Sequence, residues 1–246
     1  MILMNIRTLF LLLVSVLVVG CAGSVKPMSS EAVNEFNQGK VAVAYLYPSK
    51  KLNYTEQVYK VLWIENRANL VSFDGLWDID TDISNEYQQQ FKRLGVNAVV
   101  AKELLSATEY EHLQKDIALY QLKASEAIAA SKTVPPLQLS TDYRDALAAQ
   151  GAKYLILISQ GMFNVQVLDL ISKVTLISGS DVKVVDTRDG SITFDGDAMI
   201  WLNQDYQESP QEIEANNLQL LKSMVARGVN TQFEQNVLPK QMGLTQ

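Results

Sequence analysis

Two apolar runs constrain the fold of this 246-residue chain more than any other feature. Residues 40–47 read Lys-Val-Ala-Val-Ala-Tyr-Leu-Tyr and are closed by Pro48, and residues 154–159 read Tyr-Leu-Ile-Leu-Ile-Ser. Neither run alternates between apolar and polar residues, which is the pattern of strands buried on both faces. Because such strands need a cover on each side, the sequence predicts an α/β (α+β) fold with helices packed on a sheet.

Helices are predicted where apolar residues recur at 3.6-residue spacing between capping residues and glycine stops. The predicted helices are one from Ser29 that Gly39 stops, one from Ser84 through Leu94, one from Thr108 to about Ser131, and one over residues 142–150 capped by Ser140 or Thr141. A short strand over residues 96–101 is expected between the second and third of these helices.

The second half of the chain predicts a long hairpin and a closing helix. Strands over about residues 172–186 and 191–203 flank Thr187-Arg-Asp-Gly190, and Asp-Gly is a strong turn signal because both residues tolerate positive φ. Ser209-Pro210-Gln211-Glu212 is a capping box that opens an amphipathic helix to about residue 236. Its predicted inward residues are Ile213, Leu220, Leu221, Met224 and Phe233. The hairpin makes the predicted sheet mixed and largely antiparallel.

The region from 54 to 83 is less regular. Residues 58–65 and 70–73 are predicted as two strands, with the polar stretch 65–69 as the turn between them. The first of these segments alternates poorly, so a helix over residues 55–64 is the alternative.

The first twenty residues indicate a targeting segment. Arg7 is their only charge, and residues 9–19 form an apolar run broken only by Ser15. A run of this length matches the apolar region of a signal peptide and is too short to cross a bilayer, which takes ~20 residues as a helix.

The residues that end this run, Val18-Val19-Gly20-Cys21, resemble the lipobox of bacterial lipoproteins. The resemblance implies that residues 1–20 are a cleaved signal peptide and that lipid, including palmitate, is attached to Cys21. Residues 21–30 would then be a lipidated tether, and residues 31–246 a single periplasmic α/β domain. By the sorting rule of this family, Ala22 favours the outer membrane, facing the periplasm. The alternatives are an ordinary secretory signal with an incidental Cys and an uncleaved anchor.

Composition narrows the function. A net charge of −6 and a pI near 4.9 argue against a nucleic-acid partner, which requires clustered Lys and Arg. One Cys and one His exclude a zinc or iron site built mainly from those ligands. The sequence contains neither GxGxxG nor GxxxxGK[ST], so no cofactor is predicted.

Two groups of ionisable residues in the first half of the chain are candidate sites. Asp78, Asp80 and Asp82 alternate and could hold Ca²⁺, although Ile83 and Gln89 stand where an EF-hand loop needs Gly and Glu. The favoured interpretation is a solvated loop in which Asp82 or Ser84 caps the next helix. His112, beside Glu109 and Asp116, could be a general base, but a surface His on an amphipathic helix is favoured.

The predicted hairpin carries a further group of acids and one of three tryptophans. Asp181, Asp186, Asp189, Asp195 and Asp197 could supply paired carboxylates for glycosidase chemistry, and the favoured interpretation is turn formers and guards of an edge strand. Trp63, Trp77 and Trp201 could form a binding surface, and buried core aromatics are the favoured interpretation. No catalytic residue and no metal ligand is therefore predicted.

The order of elements from 141 to 236 resembles a second group of envelope proteins. A helix ends at Gly151-Ala-Lys-Tyr, a buried strand follows, and the hairpin Asp186…Gly190 leads to Trp201. This pattern is similar to the periplasmic α/β lipoprotein domains of curli-secretion-channel subunits, of lipoprotein activators of penicillin-binding proteins, and of the N-terminal domain of the Tol-system β-propeller protein. Lys153 replaces the Asp of their Gly-Ala-Asp-Tyr-like step. The resemblance implies a protein that holds or activates an envelope machine, and no catalytic residue.

The prediction for function is therefore a lipid-anchored outer-membrane protein that acts without catalysis as a binding, scaffold or regulatory partner of an envelope protein machine. It would reach the membrane through lipid on Cys21. The alternatives are an envelope carboxylate hydrolase that uses the hairpin acids or the acids at 78–82, and a carrier of an apolar ligand.

Overall fold

The computed structural model describes Val25 and residues 27–60, 63–168, 173–205 and 218–245. Its helices are α1 (Ser30–Gln38), α2 (Ile79–Arg93), α3 (Ala101–Leu104), α4 (Ala107–Ala129), α5 (Thr141–Ala149), α6 (Gln219–Glu234) and α7 (Val237–Met242). Its strands are β1 (Lys40–Leu46), β2 (Lys51–Lys60), β3 (Trp63–Ser72), β4 (Asn97–Val100), β5 (Ala152–Leu168), β6 (Lys173–Asp186) and β7 (Ile192–Asp205).

All seven of these strands belong to one mixed sheet with β5 at its centre. β1 pairs parallel with the first half of β5, and β2 pairs parallel with its second half. On the other side β6 pairs antiparallel with β5 along its length, and β7 follows β6. β4 lies parallel to β1 and β3 antiparallel to β2. The predicted fold class, a mixed and largely antiparallel sheet covered by helices, is confirmed.

Each face of the sheet has its own apolar cluster. On the first face, Val41, Val43 and Tyr45 of β1 pack with α1, α2, α6 and α7. On the second face, Ala42 and Ala44 pack with α3, α4 and α5. The unbroken apolar run of β1 is therefore explained by helices on both sides of the strand.

Most predicted boundaries of the helices and of the hairpin agree with the structure. Ser29 caps α1, and its hydroxyl accepts from the Ala32 N–H at 3.2 Å. β6 and β7 form the predicted hairpin, whose turn ends at Gly190 with φ +78°. Leu221, Met224 and Phe233 of α6 are buried as predicted. The predicted capping box at 209–212 and Ile213 lie outside the described residues.

The prediction for the region after β1 was wrong. Residues 65–69 are not a turn but the middle of β3, which pairs antiparallel with β2. The polar sequence is tolerated there because β3 is the last strand on its side of the sheet, and Arg67, Ala68 and Leu70 are exposed. The alternative helix over residues 55–64 is excluded by the same pairing.

Two further elements are longer than predicted. α2 begins at Ile79 rather than Ser84, because the side chain of Asp78 caps it by accepting from the Thr81 N–H at 3.3 Å. β5 continues past Ser159 to Leu168, because a bulge between Gln160 and Met162 carries the strand through Gly161.

Candidate interaction surface

In the part of the chain that the structure describes, helices cover the second face of the sheet only in part. Within the described residues, its apolar cluster draws on β1 and the first half of β5, and includes no residue of β6 or β7. On the first face, by contrast, Phe163, Leu176 and Ile200 of the three C-terminal strands are all in the core. Side chains that alternate with these therefore point away from the first-face core, onto a surface that the helices of the second face leave open.

Four large apolar side chains stand on this open surface around a glycine. Met162, Gly179 and Met199 are direct cross-strand partners, and Ile177 and Trp201 are partners in the next row. Met162 is 37% exposed, Met199 54% and Trp201 66%. We call Met162, Ile177, Met199 and Trp201 the apolar patch.

Gly179 lies at the centre of the apolar patch, between the two methionines. A Cβ atom placed on Gly179 would meet Met199 Cε at 3.7 Å and Met162 Cε at 3.8 Å. The two thioether methyl groups therefore flank a position that has no side chain of its own. Polar pairs border the patch further along the strands, with Asn53 Nδ2 donating to Asn164 Oδ1 at 2.8 Å and Thr175 Oγ1 donating to Asn203 Oδ1 at 2.7 Å.

Carboxylates border the apolar patch at its other end. Asp181 and Asp197 are cross-strand partners in the row next to the methionines, and Lys183 and Asp195 are partners in the row beyond. Lys183 Nζ lies 2.5 Å from Asp195 Oδ1 and 5.9 Å from the centre of the Tyr120 ring. We call Asp181, Asp195 and Asp197 the acidic row. Partial desolvation raises the pKa of the Asp181 carboxyl; Lys183 opposes this shift, and Asp195 and Asp197 add to it.

α4 touches the sheet next to the apolar patch and extends beyond that contact. Gln121 Nε2 donates to Ser159 Oγ and to the Gln160 carbonyl, both at 2.8 Å. The same helical stripe continues with Ala124 and Ile128, and Ile128 is 68% exposed. Helix and sheet are therefore both exposed past this contact.

A buried polar network lies on the first face at the bulge of β5. Gln160 Oε1 accepts from the hydroxyls of Tyr45 at 2.9 Å, Ser178 at 3.1 Å and Ser180 at 2.6 Å. Gln160 Nε2 donates to the Met162 carbonyl. All four side chains of this network are buried. Because the network ties β5 to β1 and β6, it fixes the register that sets the methionines beside Gly179.

The structure separates the three aspartates that were considered for Ca²⁺. Asp78 caps α2, and its Oδ2 lies 3.2 Å from Lys102 Nζ. Asp82 Oδ2 accepts from Trp77 Nε1 at 2.9 Å. Within the described residues, no group of three or more His, Cys, Asp or Glu is arranged to hold a metal.

Asp80 contradicts the prediction of a solvated loop, because it is buried. Its Oδ1 accepts from the Tyr47 N–H at 2.8 Å, and its Oδ2 accepts from Gln114 Nε2 at 3.1 Å. Ser84, one turn further, accepts from the Tyr45 N–H at 2.8 Å. These side chains satisfy N–H groups of the β1 end and the residue after it, where β4 no longer runs alongside. Burial raises the pKa of the Asp80 carboxyl.

His112 contacts a different carboxylate from the two that flank it on α4. Its Nδ1 lies 2.6 Å from Asp142 Oδ2, and both side chains are more than one third exposed. Glu109 instead completes the capping box of α4 with Ser106. Asp116 accepts from the Tyr143 hydroxyl at 2.7 Å. This arrangement agrees with the favoured interpretation of His112 as a surface residue.

The five hairpin acids divide into two groups. Asp186 and Asp189 belong to the turn, where Asp186 pairs with Arg188 at 2.6 Å and Asp189 accepts from the Ser191 N–H at 2.8 Å. Arg188 also pairs with Glu35 of α1 at 2.8 Å. These two acids agree with the predicted role of turn formers, whereas the other three form the acidic row.

The tryptophans also divide. Trp77 is a buried core residue that packs on Phe73 and Phe163, as predicted. The prediction was wrong for Trp201, which is on the open surface. The alternation of β7 contains the missed signal, since Trp201 has the same parity as Asp195 and Asp197 and the opposite parity to Phe194. The side chain of Trp63 and the predicted lipidation site, Cys21, lie outside the described residues.

Comparisons with known proteins give distant likenesses in fold. No family model and no curated protein matches the chain. Similar solved structures include protein CT253 from Chlamydia trachomatis, with a TM-score of 0.40, 12% identity, and coverage of 83% of this chain and 98% of that one.

Bacterial lipoproteins are among the similar structures. Lipoprotein GNA1162 from Neisseria meningitidis has a TM-score of 0.32 and 10% identity over 77% of this chain and 99% of that one. The C-terminal domain of LpoB from Salmonella enterica has a TM-score of 0.26 and 8% identity over 70% of this chain and 95% of that one. In the part of the chain that the structure describes, no helix is both long enough and apolar enough to span a bilayer.

Proposed function

We propose that this chain is a lipid-anchored, non-enzymatic binding protein of the bacterial envelope. In this proposal it is held in the outer membrane by lipid on Cys21, faces the periplasm, and docks an envelope protein on the second face of its sheet. The observation that carries the proposal is the apolar patch on β5, β6 and β7, in which Met162, Met199 and Trp201 are exposed and Ile177 is half-buried.

The composition of the patch is that of a protein interface. Contiguous exposed apolar side chains rimmed by polar ones mark interaction sites, and Trp and Met are enriched at interface centres. Here the rim consists of the Asn53–Asn164 and Thr175–Asn203 pairs and the acidic row. The strands beneath are fixed by the Gln160 network, so the patch is preorganised and little entropy is lost when a partner binds.

The proposed anchor limits where the partner can be. The Met28 N–H donates to the Met242 carbonyl at 3.4 Å, which joins the start of the domain to α7. The stretch from Cys21 to Met28 reaches roughly 25 Å at full extension. A domain anchored in this way stays close to the bilayer surface, so its partner has to lie in or near the same membrane.

Site-specific photocrosslinking in the native host tests the docking surface. A photoreactive residue at Trp201 is expected to give a discrete crosslinked protein, and one at Leu76, which is exposed on another part of the molecule, is expected to give none. The added change Met199→Ser should reduce the product at position 201. Equal labelling from positions 201 and 76 contradicts the proposal.

The anchor has its own test. Cys21→Ser should yield a protein whose intact mass lacks acyl chains and which no longer fractionates with the outer membrane. Ser24→Ala changes a neighbouring tether residue. The Ser24→Ala protein should still carry the mass of the acyl chains and should still fractionate with the outer membrane. Retention of the Cys21→Ser protein in the outer membrane contradicts the proposed anchor.

The acidic row favours one second candidate, the carboxylate hydrolase. Asp181 and Asp197 are cross-strand neighbours, and paired carboxyls ~5–10 Å apart are the requirement of glycoside hydrolysis. Incubation of purified peptidoglycan sacculi with the protein and with its Asp197→Asn variant separates the two functions. A binding protein releases no soluble fragments in either case, whereas a hydrolase releases fragments that the variant does not.

A further inference from the structure

The open surface is electrically asymmetric along its strands. At one end, Asp181 and Asp197 lie side by side, and the nearby Lys183 is already paired with Asp195 at 2.5 Å. At the other end the rim residues are uncharged amides and a hydroxyl, from Asn53 to Asn203, and in the row beyond them Lys173 is paired with Asp205 at 2.6 Å. A partner that covers both ends therefore meets an excess of negative charge on one side of the apolar patch only, because the pair at the other end is balanced.

The absence of a side chain at Gly179 defines what fits at the centre of the apolar patch. The methyl groups of Met162 and Met199 lie within contact distance of the position that a side chain would start from. Thioether side chains are flexible and polarisable, so they can pack around a branched or an unbranched aliphatic side chain. Rows on one face of a strand are about 7 Å apart, which is the spacing along the strands between Gly179 and the row of Asp181 and Asp197.

We infer that the partner docks through a segment that places an aliphatic side chain over Gly179 and a Lys or Arg against Asp181 and Asp197. This inference rests on the proposed function. Residues two apart on an extended segment, or three to four apart on a helix, match the ~7 Å between the two subsites. The indole of Trp201 then packs against the partner's aliphatic side chain, on the side away from Asp181 and Asp197.

Other occupants fit the surface less well. Anionic lipid and nucleic acid are repelled by the acidic row and by a net charge of −6. A second copy pairing through β7 meets Asp197 on a strand that has no Lys or Arg, whereas Asp195 and Asp205 are already paired with Lys183 and Lys173 of β6. Gln232 Nε2 also donates to the Met199 carbonyl at 3.2 Å. Because this acceptor is already used, strand addition is obstructed at the middle of β7.

A peptide selection on the full chain, purified from membranes in detergent, tests the inference. Random linear peptides displayed on phage are selected on the native protein and counter-selected on the Trp201→Ala protein. The expected peptides carry Lys or Arg two to four positions from Leu, Ile or Val. Their affinity for the double variant Asp181→Asn, Asp197→Asn should fall about fivefold or more, since the variant removes both carboxylates that the basic residue pairs with.

Matched variants control for net charge and for folding. Asp145→Asn with Glu234→Gln removes two exposed carboxylates elsewhere and should leave the affinity unchanged. Asp181→Glu with Asp197→Glu keeps both negative charges and should retain most of the peptide affinity. Raising the salt concentration from about 0.05 M to about 0.5 M should weaken peptide binding to the native protein. It should have little effect on peptide binding to the Asp181→Asn, Asp197→Asn variant.

The outcomes separate this inference from the proposed function. Peptides that depend on Trp201 but lack a basic residue, or that bind the Asn variant equally well, overturn the inference and leave the docking surface standing. If no peptide depends on Trp201 and position 201 gives no crosslink in cells, the docking surface is overturned and the inference with it.

Discussion

Both faces of the C-terminal half of the sheet carry large apolar side chains, but those on the first face are buried in the core and those on the second face are exposed. On β5, Phe163 points into the first face and is 1% exposed, whereas its neighbour Met162 points out. On β7, Ile200 is 6% exposed and its neighbour Trp201 stands in solvent. Hydrophobicity alone therefore does not distinguish residues that hold the fold together from residues that the fold leaves available, and strand parity does.

The largest expected effect breaks the covered face. Phe163→Ala should lower the free energy of unfolding by about 3–5 kcal/mol, because its ring packs on Tyr47, Phe73 and Trp77 and the cavity refills poorly. Met162→Ala, one residue away on the open face, should cost less than about 1 kcal/mol. Urea unfolding measures both, and similar losses contradict the division between the faces.

The next effect concerns the polar network of the covered face. Gln160→Leu should cost about 2–4 kcal/mol, because the hydroxyls of Tyr45, Ser178 and Ser180 lose their shared buried acceptor. Gln166→Leu, at an exposed position of the same strand, should change the free energy of unfolding by less than about 0.5 kcal/mol. A tolerated Gln160→Leu would show that the network does not stabilise the bulge.

A smaller effect compares a buried carboxylate with an exposed one. Burial raises the pKa of Asp80, so the folded chain binds its proton more tightly than the unfolded chain does. The stabilisation by the protonated form is complete at low pH and is lost as the pH rises through the raised pKa. Asp80→Asn keeps an acceptor for the Tyr47 N–H and lacks this loss.

The free energy of unfolding of Asp80→Asn should therefore rise relative to that of the native chain as the pH increases from the ordinary Asp pKa of about 4 through the raised pKa of Asp80. Asp145→Asn, which removes an exposed carboxylate, should run parallel to the native chain over the same range. Urea unfolding at several pH values provides the measurement, and a difference of the opposite sign contradicts the effect of burial.

The smallest expected effect on stability is at the centre of the proposed interface. Trp201→Ala should change the free energy of unfolding by less than about 1 kcal/mol, whereas Ile200→Ala should cost about 2–4 kcal/mol. The same Trp201→Ala change should abolish the crosslink and the peptide binding described above. If Trp201→Ala unfolds the chain as readily as Ile200→Ala, the indole is structural and the interface assignment is wrong.

Local signals predicted the elements that depend on neighbouring residues. The Asp-Gly turn placed β6 and β7 to within two residues, and Ser29 with Gly39 bounded α1. These succeeded because a turn or a cap is decided by a few adjacent backbone groups.

The elements that were missed depend on distant parts of the chain. β3 is polar because it is the last strand on its side, and the burial of Asp80 follows from the early end of β4. Neither fact is present in the residues themselves. The alternation of β7 could have predicted the exposure of Trp201. Whether the surrounding sheet surface is covered depends on how far α4 and α5 extend over it.

The parallel pairing of β1 also has a consequence for the order in which the chain folds. The ribosome delivers β1 early, yet Lys40 pairs with Asn97 on one side and with Ala152 on the other. Until those partners have been synthesised, an almost wholly apolar strand has to remain without its neighbours, and closing such long loops is slow. The nascent chain is therefore expected to need a holding chaperone, and its vulnerability to aggregation should last until β5 has emerged.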